Sequence, residues 1–443
     1  MLVNLARLRQ QRTSPTVTNE FDPGDPRRLN HLSLEQQKKR AKELLKEVRA
    51  HDVAAIERWH RYVPEPASAI LDPRLNDAQI VIARENGFSK WEGLKAHTDH
   101  IRIAQQAIRD GRPSALDGAQ STLHIRCGTD ILHKLAIAGF DGDFLWFGDP
   151  YIFGPVPYLK SLDEFVRIRS ESINVPFQEL YTMYEDLEQA TKYQVVALWN
   201  EYDAFDQLIL AKLLDFFSDP AKRPGRLQFI NTTHFPGVQI FNGIGQLPAE
   251  ALRVLWNDFN EVSEHELRAG KEAWSAITSA TPEALLKFVS TDTPVLPIMR
   301  WALRRHLQEL PSVTNGLGLS EQVTLQILAE KGPMNAARLF GWFQNHYDPL
   351  PGMGDTGYWK FLRGLADAAE PALTFDKRGE LPKEWHIELL PLGILLLNND
   401  ADWLVRNHVQ RWVGGVYIDS RAETHWRLDD ARNEVVENTV RSA

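Results

Sequence analysis

Three apolar runs in this chain of 443 residues each end in a carboxylate followed by a turn or a helix start. Residues 123–127 lead to Gly128-Thr129-Asp130. Residues 144–147 lead to Gly148-Asp149-Pro150, and residues 195–199 to Asn200-Glu201-Tyr202-Asp203 and then Asp206-Gln207. In an open α/β sheet the carboxyl ends of the parallel strands share one edge, where ligands bind. The pattern therefore predicts that Asp130, Asp149, Glu201, Asp203 and Asp206 gather at one rim. Carboxylate oxygens suit a hard cation such as Mg²⁺, which polarises phosphoryl or carbonyl groups and orients water. Asp130, Asp149 and Asp203 are the expected metal ligands or acid–base groups. Gly128, Glu201, Asp206 and Gln207 are expected to contact a ligand. The competing reading makes Asp130, Asp203 and Asp206 helix caps and Asp149 a turn initiator.

Weaker chemistry lies elsewhere. Gly243-Ile244-Gly245 at a strand-to-helix turn would bring backbone N–H groups to an anion, but the third glycine of a dinucleotide fingerprint is missing. Arg300 and Arg304, one helical turn apart, could clamp a phosphate beside Arg305 and His306, unless they pair with an acid such as Glu309. Cys127, with His124 or His133 as base, is a nucleophile on paper; burial and inertness is the ordinary fate of such a cysteine. His386 and His408 have no metal-ligand spacing.

The elements that must position these residues follow from periodicity. Residues 1–30 read as a loose leader. Residues 31–115 form a helical module, opened by Ser33 and containing a second capping box at Ser89–Glu92. Residues 120–247 alternate strand-like and helical runs, which predicts a parallel α/β sheet. Its strands include 227–230 and 238–241, and Asp130 caps a helix over 131–138. Residues 248–312 are helical again, with a capping box from Ser263 to Glu266. Residues 316–400 give three helices and then two strands, the order of a winged helix. A short strand turn at Gly414-Gly415 marks the 401–443 tail. The predicted class is thus α/β: a Rossmann-like sheet domain between a helical module and a C-terminal helical plus winged-helix-like domain.

Bulk numbers bound the function. Apolar content of 43% and charged content of 25% are those of a folded globular protein. A single cysteine excludes an intrachain disulfide and a multi-cysteine zinc site. No run reaches the ~18 apolar residues of a membrane helix, so the expectation is a cytoplasmic protein with no membrane partner. Net charge of −9 argues against a dedicated nucleic-acid binder, although residues 1–50 carry about +5.

Residues 121–430 resemble the bacterial family of the domain of unknown function 1835. The matching motifs are residues 124–130, Asp149-Pro150 with Gly154-Pro155, residues 198–208, Gly245-Gln246-Leu247, residues 303–311 with Asn315-Gly316-Leu317, Gly354-Asp355, Gly414-Gly415 and Trp426-Arg427. The chain departs from that pattern at residues 151–153. Residues 33–97 resemble a helical segment found ahead of bacterial ankyrin repeats, with no complete repeat following. Neither resemblance implies an activity. The expectation is a protein that binds a small polar or phosphorylated ligand at the acidic rim, with Mg²⁺ the fitting cofactor and metal-assisted hydrolysis or group transfer the fitting reaction. The alternative is a non-catalytic adaptor or regulator that holds a protein partner, or less readily DNA, through its helical module and winged helix.

Overall fold

The computed structural model describes residues 2–5, 29–63, 72–111, 113–292, 294–350 and 352–439. Most of the expected leader lies outside the described residues. Residues 2–4 are within them and form strand β1, Leu2–Asn4, a short edge element that the sequence pattern did not signal. Four helices come next: α1 (Leu34–Arg49), α2 (Val53–Tyr62), α3 (Leu75–Glu85) and α4 (Trp91–Arg109). They pack Ala41, Leu44, Trp59, Val81 and Leu94 into a separate core. Ser33 caps α1 as expected. The Ser89 box does not form, because α4 starts at Trp91 behind Lys90, which makes no side-chain cap.

The central sheet has six strands. After β1 come β2 (Thr122–Arg126), β3 (Asp143–Trp146), β4 (Val195–Glu201), β5 (Arg226–Thr232) and β6 (Asn260–Glu261), in the spatial order β1-β3-β2-β4-β5-β6. The four inner strands are mutually parallel and the two edge strands antiparallel. From β2 the chain steps to β3 on one side and then returns to β4 on the other. That reversal opens a crevice beyond the carboxyl ends of β2 and β4. Strand β4 is buried along its whole length, as a strand covered on both faces should be. Residues 238–241 form no strand, a correction to the sequence reading. β6 takes the free edge of β5 instead, and the segment before Gly243 runs as a loop.

Helices cover both faces. α5 (Leu132–Ala138), α6 (Leu162–Ile173), α7 (Phe177–Glu188), α8 (Ala204–Ser218), α9 (Ala249–Leu255), α10 (Glu264–Ile277), α11 (Glu283–Ser290) and α12 (Pro297–Leu307) follow in turn. One face buries Leu123, Leu198, Leu210 and Leu303, the other Phe144, Trp199, Ile230 and Leu252. Within the sheet, Trp199 Nε1 donates to His124 Nδ1 (3.1 Å) and His124 Nε2 meets Asp117 (2.9 Å). Because Nδ1 accepts, the ring proton sits on Nε2 and is given to Asp117. Asp117 also accepts the backbone N–H groups of Asp141 and Gly142.

The C-terminal region has its own core around Leu325, Phe343, Tyr358 and Leu362. α13 (Leu319–Lys331), β7 (Met334–Asn335), α14 (Ala336–Trp342), α15 (Asp355–Ala366), β8 (Leu373–Lys377) and β9 (Trp385–Leu389) build three helices and an antiparallel sheet ordered β7-β9-β8. After α16 (Pro391–Leu397) and α17 (Trp403–Arg406), the chain ends in two hairpins. These are β10–β11 (Gln410–Val413, Val416–Asp419) and β12–β13 (Thr424–Asp429, Glu434–Thr439). Gly414, at φ +60°, makes the first hairpin turn and offers its carbonyl to Val156 N–H. No helix among the described residues is long and apolar enough to cross a membrane.

Candidate acidic site

The crevice between β2 and β4 is organised by a residue the sequence reading passed over. Arg126, the last residue of β2, is 3% exposed and spans three carboxylates. Its Nη1 donates to Asp206 at 2.9 and 3.0 Å, its Nη2 to Glu201 at 2.7 Å and Asp130 at 3.1 Å, and its Nε to Asp130 at 3.2 Å. A charge in a buried strand is costly unless it is paired and hydrogen-bonded. Its place between Ile125 and Cys127 at the end of a buried strand was the signal that acids had to surround it.

Each acid arrives from a different element. Asp130 follows β2 by four residues and does not cap α5, whose N-cap is Ile131 without a side-chain bond; it turns back to Arg126 instead. Glu201 ends β4. Asp203 caps α8, accepting the backbone N–H of Asp206 at 2.9 Å, and so fulfils the capping expectation while also facing its neighbours. Oxygens of Glu201, Asp203 and Asp206 all lie within 4.8 Å of one another. Asp203 is half-buried and Asp130 exposed, so the cluster opens to solvent on one side.

Among the described residues the charges do not balance. Four carboxylates face Arg126 and Lys134, whose ammonium group also donates to Gly245 O at 2.5 Å. Burial and mutual repulsion, only partly offset by Arg126, push Glu201 up to about 8. Burial and the Glu201 charge carry Asp203 to about 7, and burial carries Asp206 to about 6 against the pull of Arg126. Burial also raises Asp130, but there Arg126 wins and the pKa falls below the usual carboxylate range. One further group is unsatisfied. Asn200 donates its amide to Asp206 at 3.3 Å, while its buried Oδ1 has no hydrogen-bond partner among the described residues.

The glycines shape the walls. Gly243 sits at φ +150°, and a Cβ there would run into the Glu201 carboxylate; one at Gly245 would run into Asp130. The N–H groups of this turn do meet an anion, but it is the protein's own: Ile244 N–H donates to Glu201. Gly128 lies against Asp130. Gln207 ties the rim to the next strand, donating to Glu201 O at 2.5 Å and Asn231 Oδ1 at 2.6 Å. Cys127 approaches Asp206 at 3.5 Å, and burial raises its thiol well above its ordinary value, which leaves a poor nucleophile.

Two other expected residues, Asp149 and Arg304, have their partners elsewhere, and a third, His306, has a buried Nε2 with no hydrogen-bond partner among the described residues. Asp149 is fully buried in its own network. Arg169 donates to it through Nε (3.1 Å) and Nη2 (2.5 Å), and Tyr184, itself hydrogen-bonded to Tyr151 at 2.6 Å, adds a hydroxyl at 2.8 Å. Arg169 also binds the carbonyls of Pro150 and Pro155 at 3.0 and 3.1 Å. Arg304 pairs with Asp430 and Asn433 near the surface, while Arg300 pairs with Asp292 at 2.9 Å. His306 is buried beside Gly414, and burial lowers its pKa to about 4. Its neighbour Arg305, not Arg304, makes the strong contacts: Asp348 at 2.8 Å through both Nε and Nη2, and Ser320 at 2.8 Å.

A cleft of ≈ 810 Å³ extends along the same sheet edge from the end of β5. Thr232, which faces Glu201 across the β4–β5 ladder, lines it. Phe88, His97 and Phe235 form an aromatic wall with ring centroids 5.3 and 5.4 Å apart, and no lysine or arginine among the described residues reaches the lining. Compared with models of protein families and with curated proteins, the chain matches none.

Proposed function

We propose that the acidic rim binds a divalent cation, Mg²⁺ or Mn²⁺, and through it the phosphate or carboxylate group of a small polar ligand. The observation that carries the reading is the uncompensated charge among the described residues: four converging carboxylates with two cations beside them leave the equivalent of one divalent ion to be neutralised. Protons take that place in part, which is the physical content of three raised pKa values, and a metal would displace them. The unpaired Asn200 oxygen adds a neutral donor of the kind hard cations accept. Glu201, Asp203 and Asp206 would hold the ion, with Arg126 fixing the orientation of two of them. The aromatic-walled cleft would receive the uncharged part of the ligand. Hydrolysis or group transfer assisted by the ion is the reaction class that suits such a site.

The test is a calorimetric titration of the full chain with MnCl₂ and MgCl₂. One ion per chain in wild type, and a large loss of affinity in Asp203→Asn, is the expected result. No heat at millimolar metal removes the reading. The adaptor reading would then stand, supported by the C-terminal element order. Its helix–strand–helix–helix–hairpin sequence is that of a winged helix, and Lys360 and Arg363 on α15 are offset by Asp355 and Asp367, a surface better suited to protein than to duplex DNA.

A further inference from the structure

A second pocket, of ≈ 470 Å³, lies among α6, α7, α8 and α10. Its charged lining consists of Lys160, Lys212, Lys222 and Lys271 against Glu188 and Asp215. Two positive charges are left over in a chain whose net charge is −9. Lys222 is paired with Glu188 at 2.7 Å, and Lys212 stands 3.8 Å from Asp215. Lys160 and Lys271 are exposed and form no salt bridge among the described residues. Burial raises the Asp215 carboxylate, and the charges of Lys212, Lys271 and Lys222 pull it down, so three of the four lysines act on the same pocket wall.

The surroundings are those of a binding pocket. Lys212 reaches in over the face of Trp274, 5.1 Å from the ring centroid, and burial lowers its pKa. Tyr158, 68% exposed, stands among the lining residues, and Tyr184 joins them from the Asp149–Arg169 network. Ser161 and Ser275 add hydroxyls. Lysines act as mobile point charges toward phosphate oxygens, and an aromatic surface takes a ring or sugar.

We propose that this pocket binds a small phosphate-bearing molecule without the help of a metal ion, at a site separate from the acidic rim. The excess of two charges matches a phosphate dianion, and the pocket volume falls in the range of small-molecule sites. Lys160 and Lys271 supply the free cations, and Lys212 the recessed one.

The experiment is a titration of the full chain with sodium pyrophosphate in EDTA, which keeps the acidic rim free of metal. Saturable binding is expected, weakening at least tenfold in Lys160→Ala/Lys271→Ala and falling steeply between 50 and 200 mM salt. Lys38→Ala, on an exposed face of α1, is expected to bind as wild type does. Binding that fails at millimolar pyrophosphate, or that weakens equally in Lys38→Ala, overturns the proposal. The double variant changes two exposed side chains, and its melting temperature checks that it is folded.

Discussion

Asp130 and Asp149 follow two neighbouring parallel strands in nearly the same local context, a glycine and then an acid, yet they end in opposite electrostatic situations. Asp149 sits in a closed account of charge: one carboxylate, one guanidinium, a tyrosine hydroxyl and carbonyls that use the remaining donors. Asp130 belongs to a cluster where one guanidinium is divided among three acids and a fourth stands beside them. The first arrangement needs nothing from outside, and the second lacks positive charge. A strand-end carboxylate therefore says where a site can be, and the cation count around it separates a fastening from a binding group.

That contrast can be broken most forcefully at the fastening. Asp149→Asn leaves Arg169 buried with half its partners, and unpairing a buried charge costs about 3–5 kcal/mol. Urea denaturation is expected to show a loss of that size, whereas a residue that merely starts a turn would tolerate the change. Retained stability would mean that the network is not the closed unit described above.

The second effect is metal-induced. At 100 times the dissociation constant, a ligand specific to the native state stabilises it by about 2.7 kcal/mol. Mg²⁺ or Mn²⁺ should therefore raise the melting temperature of wild type, and Asp203→Asn should lose most of that rise. Asp149→Asn should keep it, though starting from a lower baseline. If the two variants respond alike, the distinction between the regions fails.

A smaller effect appears without metal. Asp203 has a folded pKa of about 7, above its unfolded value, so the folded state holds the proton more tightly. Its contribution is favourable below the unfolded pKa, and stability is lost as pH rises between the two values. Asn keeps the capping oxygen and removes the titration. Asp203→Asn should melt about 1–3 °C above wild type at pH 8 in EDTA, with the gap closing toward pH 4. A gap independent of pH would remove the repulsion from the account. The smallest signal comes from Cys127, whose thiol is held protonated by burial and nearby acids. Iodoacetamide at pH 7.5 should leave it unmodified in the native protein and alkylate it in urea.

The sequence showed these regions unequally. The parallel strands were legible because their apolar runs are short and bounded by turn residues, and β2 to β5 fall within a residue or two of the expected positions. The run over 238–241 has the same composition without the same outcome, since a strand also needs a neighbouring edge and β6 had taken it. Among site residues, Asp203 and Glu201 were readable from their place at a strand end and helix start. Arg126 and Arg169 were not, because both are arginines inside regular elements, where the ordinary expectation is solvent. Only the apolar flanks of Arg126 carried a hint. The partner of Asp149 lies 20 residues away on α6, a separation that local pattern does not reveal.

The Asp117–His124–Trp199 chain of hydrogen bonds has a consequence for how the sheet is assembled. β2 and β4 are buried along their whole length, and a shift of two residues would keep every side chain on its proper face. Such a misaligned pairing would preserve the alternation of faces. It would, however, strand an indole N–H, an imidazole and a carboxylate in the interior, each without a partner. The hydrogen-bonded chain therefore favours the alignment in which Arg126 lies opposite Trp199. In that alignment alone does the guanidinium reach Glu201 and Asp206, so the acidic rim inherits its geometry from a polar contact buried in the sheet beneath it.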